Sequence, residues 1–227
     1  MKLSIFKDLF RGRTDAYGTG KGQCVKQPLT DSMLIDHLSG KGRRIGVYPL
    51  SPDIQEGTAS WWIAIDFDDG CFSKAKKAYD TLVDLGIQAY IEVSKSKGYH
   101  LWIFCSEPIL AADLRTIVSF AIQKAQITDY ELFPKQDCLL STPSGYGNYI
   151  NLPLYGKDVK KGRTTFLDHT LSFMPILDER IFPFLQDVKR LSKAEIDAII
   201  AKHGFLPSSK ANVIHPKIPT QTKTQTV

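Results

Sequence analysis

Apolar and polar positions along the chain fall into two periods, and most of the elements can be read from them. Residues 61–68 are a strongly β-prone run. Residues 73–85 recur at helical spacing, with Ala75, Ala78, Tyr79 and Leu82 on one face and Gly86 as the stop. Residues 88–94 and 99–105 read as two strands joined by a short Lys-Gly turn, a hairpin pattern. Residues 110–125 give the clearest helix, through Leu114, Ile117, Val118, Ala121, Ile122 and Ala125. Further strands are expected over 130–133, 149–154 and 164–167, and a helix over 192–202 opens with the capping pair Ser192 and Glu195. Ahead of these, Thr30 or Asp31 caps a short helix through Leu38 that Gly40 stops, and residues 45–50 are a strand. The first 30 residues, rich in Gly and Arg, read as irregular backbone. From 61 to 133 the order is strand, helix, strand, strand, helix, strand. This split βαβ order predicts an α+β fold, an antiparallel sheet with two helices on one face.

Charge and cysteine content change this picture a little. Residues 1–50 carry nine Lys or Arg against four Asp, and 207–227 adds three lysines and no acid, so the middle is mildly acidic although the whole chain is +5. A basic start beside an acidic centre suits phosphates on one side and metal cations on the other. A solvated charged surface is the plainer alternative. Cys24, Cys71, Cys105 and Cys138 lack Cys-x-x-Cys spacing and are expected as free thiols rather than a zinc site. No apolar run reaches the length of a membrane span, and the start carries no secretory pattern, so a cytoplasmic location is expected. The Pro-, Thr-, Gln- and Lys-rich residues from 207 onward read as a linker or disordered end leading to something longer.

Three stretches carry candidate chemistry. In Ile63-Ala64-Ile65-Asp66-Phe67-Asp68, strand alternation sends both aspartates to one face, their backbones about 7 Å apart, and Phe67 to the other. Two carboxylates so placed can grip a pair of divalent ions and are costly without a cation. The bland alternative is a pair of acids fraying into the turn at Asp69 and Gly70. In Ser94-Lys95-Ser96-Lys97-Gly98-Tyr99-His100, hydroxyls, a lysine, open backbone at Gly98 and a histidine offer what a triphosphate requires. Taken alone it is a polar hairpin turn. Glu131 lies on a third strand that can neighbour the aspartate strand and complete a metal site. The joint order of the three on one sheet gives them weight that none has singly. Trp61, Trp62 and Trp102 sit in apolar strands and are expected in the core rather than stacking bases.

An apolar strand ending in Asp-x-Asp, a Ser-x-His-type loop and a strand carboxylate resemble the three motifs of the archaeo-eukaryotic primase superfamily. The stretch from Ser94 to His100 resembles the serine-lysine-glycine-histidine loop of bacterial end-joining polymerase domains. Residues 5–156 are similar to primase domains of the TOTE conflict-system and CRISPR-associated primase-polymerase type. This likeness includes Phe10-Arg11-Gly12-Arg13, Gly98-Tyr99-His100-Leu101-Trp102, Phe133-Pro134-Lys135-Gln136 and Gly145-Tyr146-Gly147-Asn148. The loop before His100 is one residue shorter than the Gly-x-Gly form of the conflict-system group. The resemblance implies an RRM-like antiparallel sheet over 61–170 as catalytic core, an N-terminal αβ module over 1–60, the active site between them, and C-terminal helices over 171–206. It implies that Asp66, Asp68 and Glu131 hold two divalent cations, Mg²⁺ or Mn²⁺. Ser94, Ser96, Lys97, His100, Asn148 and Asn151 would bind the incoming nucleotide. Arg13, Lys21, Arg43, Arg44 and Lys135 would line the nucleic-acid path. The implied activity is template-dependent nucleotidyl transfer, making and extending primers on single-stranded DNA or RNA from nucleoside triphosphates. Further domains or CRISPR and conflict-system proteins are the implied partners. Two rivals remain at this point: a metal-dependent nuclease, and a non-enzymatic RRM-like binding module. A nickase on such a sheet needs a histidine pair, and only His100 lies among these motifs. A binding module stacks bases on central strand aromatics, where this chain has acids.

Overall fold

The computed structural model describes residues 2–20, 22–141 and 145–206. Lys21 and the stretch 207–227 lie outside them. The amino-terminal part contains helix α1 (Lys2–Leu9), strands β1 (Tyr17–Thr19) and β2 (Cys24–Val25), helix α2 (Asp31–Ser39) and strand β3 (Ile45–Val47). Helix α1 was not expected from the sequence. Phe6 and Leu9 bury its one apolar stripe, but the Gly- and Arg-rich residues just after it mask the period. Helix α2 follows the pattern closely: the Thr30 side chain accepts from the Met33 N–H, and Gly40 closes the helix at φ 73°, a left-handed conformation suited to glycine.

The central part runs β4 (Ala59–Phe67), α3 (Phe72–Asp84), β5 (Tyr90–Val93), β6 (Tyr99–Leu110), α4 (Ala111–Lys124) and β7 (Glu131–Phe133). These strands lie in the order β5-β6-β4-β7, every neighbouring pair antiparallel. This is the split βαβ sheet of an α+β, RRM-like fold, with β4 at its centre. The chain continues through β8 (Ile150–Asn151), α5 (Gly156–Val159), β9 (Thr165–Asp168), β10 (Met174–Pro175), α6 (Ile181–Gln186), β11 (Arg190–Leu191) and α7 (Lys193–Lys202). Strands β9 and β10 extend the sheet beyond β5, and β11 pairs in parallel with the middle of β6, at Phe104 and Cys105. Strand β8 instead joins the amino-terminal strands in a small sheet ordered β2-β1-β3-β8.

Alternation along β4 sorts its residues between two cores. Ile63, Ile65 and Phe67 point into a core shared with α3, α4 and α7. Trp62 and Ala64 point to the opposite face, where Trp102, Phe104, Phe6, Phe10, Ile45 and Ile150 pack with them. The amino-terminal module thus covers one face of the main sheet while the helices cover the other. Trp62 and Trp102 are fully buried, as the sequence reading has them, and Trp61 is half-buried under the Arg11 guanidinium. Ser192 and Glu195 form the expected capping box of α7.

Candidate active site

Asp66 is the last residue but one of β4, on the face that bears Trp62 and Ala64. Across the ladder its register partner on β7 is Glu131, and its partner on β6 is His100. The partner of His100 on β5 is Glu92. Four strands therefore set Glu131, Asp66, His100 and Glu92 in one row. Side chains at paired positions share a face.

The row grades from exposed to buried. Glu131 is exposed and pairs with Lys135 at 2.6 Å. The Asp66 side chain is 17 % exposed, and the His100 and Glu92 side chains are buried. His100 Nε2 lies 3.5 Å from Asp66 Oδ1, and His100 Nδ1 lies 2.9 Å from Glu92 Oε2. Burial pushes the Asp66 carboxyl up to about 6; His100 opposes this, while Asp68, Glu131 and Glu92 add to it by repulsion. Asp68 is exposed in the turn just past the end of β4, near enough for its charge to act on Asp66 and His100. Asp69 is a turn residue: its side chain accepts from the Cys71 N–H and pairs with Lys74.

The loop between β5 and β6 stands over the end of β4. Ser94 is buried, whereas Ser96 and Lys97 are exposed. Asn148 is exposed and accepts from Gln136 at 2.6 Å, which ties its loop to the end of β7. Asn151 pairs with Gly46 in the small sheet, and its Oδ1 is buried without a hydrogen-bond partner. The basic residues expected along a nucleic-acid path separate into two groups. Arg13 is buried, held by Asp15 at 2.6 Å and the Gly145 carbonyl at 2.7 Å, with its guanidinium over Tyr146. Arg44 donates to Asp158 at 2.6 Å and lies over Tyr155. Arg43 is exposed, and Lys135 is engaged with Glu131. The structure thus brings Asp66, Glu131 and His100 together on neighbouring strands, keeps Asp68 beside them, and commits Arg13 and Arg44 to contacts with Asp15, Gly145, Tyr146, Tyr155 and Asp158.

Glu92 is the residue that sequence reasoning missed. Its signal was present: Glu92 and His100 sit at equivalent places on the two arms of one hairpin, and alternation puts Glu92 opposite Ile91 and Val93.

Among the described residues, no group of three or more acidic, histidine or cysteine side chains is placed to hold a metal ion. The donor set nevertheless fits divalent cations. Asp66 Oδ1 is buried without a hydrogen-bond partner, and Asp68, Glu131 and Glu92 repel it from nearby. Oxygen donors of this type suit Mg²⁺ or Mn²⁺. Asp66, Asp68 and Glu131 would hold them.

A split βαβ sheet with acids and a histidine across its central strands places the chain in the class of RRM-like α+β domains. The sequence profile of the TOTE conflict system, Archaeo-Eukaryotic Primase domain, matches residues 21–199, and the chain belongs to this family. Nucleotidyl transfer is the activity at family level. Two solved structures are similar at low identity. One is the polymerase domain of Mycobacterium tuberculosis ligase D in complex with DNA, 17% identical, TM-score 0.38, covering 84% of this chain and 72% of that one. The other is the archaeo-eukaryotic primase domain of the cyanophage S-2L primase-polymerase, 16% identical, TM-score 0.38, covering 56% of this chain and 73% of that one. Comparison with curated proteins by sequence gives no match. Among the described residues, no helix is long and apolar enough to cross a membrane.

Proposed function

We propose that this domain is a template-dependent primase-polymerase that joins nucleoside triphosphates on single-stranded DNA or RNA. The observation that carries the reading is the register of three strands: Glu131, Asp66 and His100 stand side by side. Asp66, Asp68 and Glu131 would hold divalent cations, which would supply charge neutralisation and a more acidic attacking hydroxyl. The chain's own groups do the rest. His100 donates from Nε2 toward phosphate oxygens beside Asp66. Lys97, Ser96 and the loop backbone contribute positive charge and donors over the same strand ends, with Asn148 and Asn151 as further contacts. Arg43, which is exposed, and Lys135 line the path of template or primer. The protein positions groups and offsets charge rather than forming a covalent intermediate.

Primer synthesis on a single-stranded template tests this, with ribonucleotides or deoxyribonucleotides and with Mg²⁺ or Mn²⁺. The unmodified chain is expected to make and extend products. Asp66→Ala/Asp68→Ala is expected to make none and to lose the rise in melting temperature that Mn²⁺ gives the unmodified protein. Shortening of labelled template in place of extension points to a nuclease. Full activity in the double variant rules the acid row out as the site.

A further inference from the structure

Glu92 has no part in the chemistry proposed above, yet it is the most deeply placed charge in the row. Its side chain is 1 % exposed. A buried carboxylate is costly unless donors satisfy it. Two donors converge here on one oxygen: the Trp102 indole Nε1–H donates to Glu92 Oε2 at 2.7 Å, and His100 Nδ1 lies 2.9 Å from the same atom. An indole N–H only donates. Glu92 Oε2 is therefore an acceptor fixed from one side by a fully buried indole, and an Nδ1–H satisfies it from the other.

This arrangement settles which edge of the imidazole faces the acids. With Nδ1 held by Glu92, Nε2 is turned to Asp66 Oδ1 at 3.5 Å. An imidazole rotated by half a turn would set carbon against the buried oxygen and leave it one donor short. The carboxylate cannot follow the ring, because Trp102 anchors it and packs edge-on against His100 with centroids 6.2 Å apart.

We propose that Glu92 is a positioning residue that holds His100 with Nε2 facing the acid row and so presents the imidazole to the incoming triphosphate. The inference rests on reading that row as the nucleotidyl-transfer site. Glu92 does not itself touch the nucleotide; its burial and its two donors reserve it for His100. Outer partners that orient a functional histidine typically cost ten- to a hundredfold in activity or affinity when lost.

The test compares primer extension by the full chain and by Glu92→Leu, Glu92→Gln, His100→Ala and Glu92→Leu/His100→Ala, with KM and kcat measured for ATP and dATP and folding followed by thermal melting. Glu92→Leu is expected to raise the nucleotide KM at least tenfold in molecules that remain folded. Glu92→Gln, whose amide still has partners for both the indole and the ring nitrogen, is expected to recover most of that loss. In the His100→Ala background, Glu92→Leu is expected to add no further change in KM, because its effect runs through the ring. Should Glu92→Leu not fold, Glu92→Asp, shorter by one methylene and drawn back from His100, carries the same comparison. An unchanged KM, or equal effects with and without His100, overturns the role of Glu92. Undiminished synthesis by Asp66→Ala/Asp68→Ala sinks the nucleotidyl-transfer reading itself. A dead double variant beside an unchanged KM in Glu92→Leu sinks only the positioning role.

Discussion

At Gly98 a Cβ would stand 2.2 Å from the Phe67 carbonyl oxygen, and at Gly70 one would stand 3.0 Å from the Lys97 carbonyl oxygen. The hairpin loop and the turn after β4 are thus pressed backbone to backbone. Their contact puts the loop's serines and lysine over the Asp66 end of the sheet. Gly98→Ala is therefore expected to destabilise the domain by about 1–3 kcal/mol, as overpacking does, and to raise the nucleotide KM together with the drop in melting temperature. Lys95→Ala, an exposed position on the same loop, is expected to leave the melting temperature within experimental scatter. Equal melting of Gly98→Ala and the unmodified chain would refute the close packing. At this scale alternation sends Phe67 to the core and Asp66 to the other face, and strand order makes the Glu131 strand its neighbour, whereas Asp68, expected on the same strand face as Asp66, lies in the turn because β4 ends at Phe67. The sequence did not disclose Glu92. A single acid in Tyr90-Ile91-Glu92-Val93 looks like any exposed strand residue until the partners that bury it are in place.

Helix α2 is fastened to the small sheet by a fully buried histidine. The Ile45 N–H donates to His37 Nδ1 at 3.1 Å, so Nε2 carries the proton and donates to the Pro153 carbonyl at 2.9 Å. Both ring nitrogens are used only while the ring is neutral. Burial pushes the His37 pKa down to about 4, partly offset by its backbone hydrogen bonds. In the unfolded chain the group titrates near 6.5. Between those values the unfolded state binds more protons, so stability rises with pH from 4 to 6.5 and is complete above it. The gap corresponds to about 3 kcal/mol, lost on acidification through that window. Asp66, whose carboxyl is pushed up to about 6, acts in the opposite sense in both proteins, so the readout is the difference between them. His37→Gln is expected to have a lower urea midpoint at pH 7 and to approach that of the unmodified chain as the pH falls to 4. Parallel profiles for the two proteins would show that His37 does not set the slope. Elements of this size were legible where caps and period agree. Helix α2 has Thr30 and Gly40 at its ends, and α3 and α4 bury the faces their spacing marks. Strands β1 and β2, three and two residues long, are too short to leave a period, and the pairing of β1 with β3 and of β2 with β1, rather than local propensity, holds them.

The order of strands in the main sheet could be read from the chain, but what covers its second face could not. Split βαβ order fixes a four-stranded sheet with two helices on one side. It says nothing of the side bearing Trp62, Trp102 and Phe104. There α1 and the residue just past it supply the lid: the Phe10 ring meets Trp102 edge-on at 5.1 Å and Phe104 at 5.5 Å. Asp8 extends the seam, accepting from both Arg11 and Arg190, which joins α1 to β11. One apolar cluster runs through the amino-terminal module, the sheet face and α6, so the two parts should unfold as a unit. Phe10→Ala is expected to cost about 3–5 kcal/mol, the usual range for a phenylalanine lost from a core. Denaturant unfolding followed by tryptophan fluorescence and by far-ultraviolet circular dichroism should give coincident curves before and after the substitution, shifted together to a lower midpoint at unchanged slope. All three tryptophans lie in β4 and β6, whereas the helices are spread over the chain, so the two signals sample different parts of the molecule. If Phe10→Ala splits the curves, the amino-terminal module is a separate folding unit. Trp102, and with it Glu92 and His100, would then keep its setting when the lid is gone.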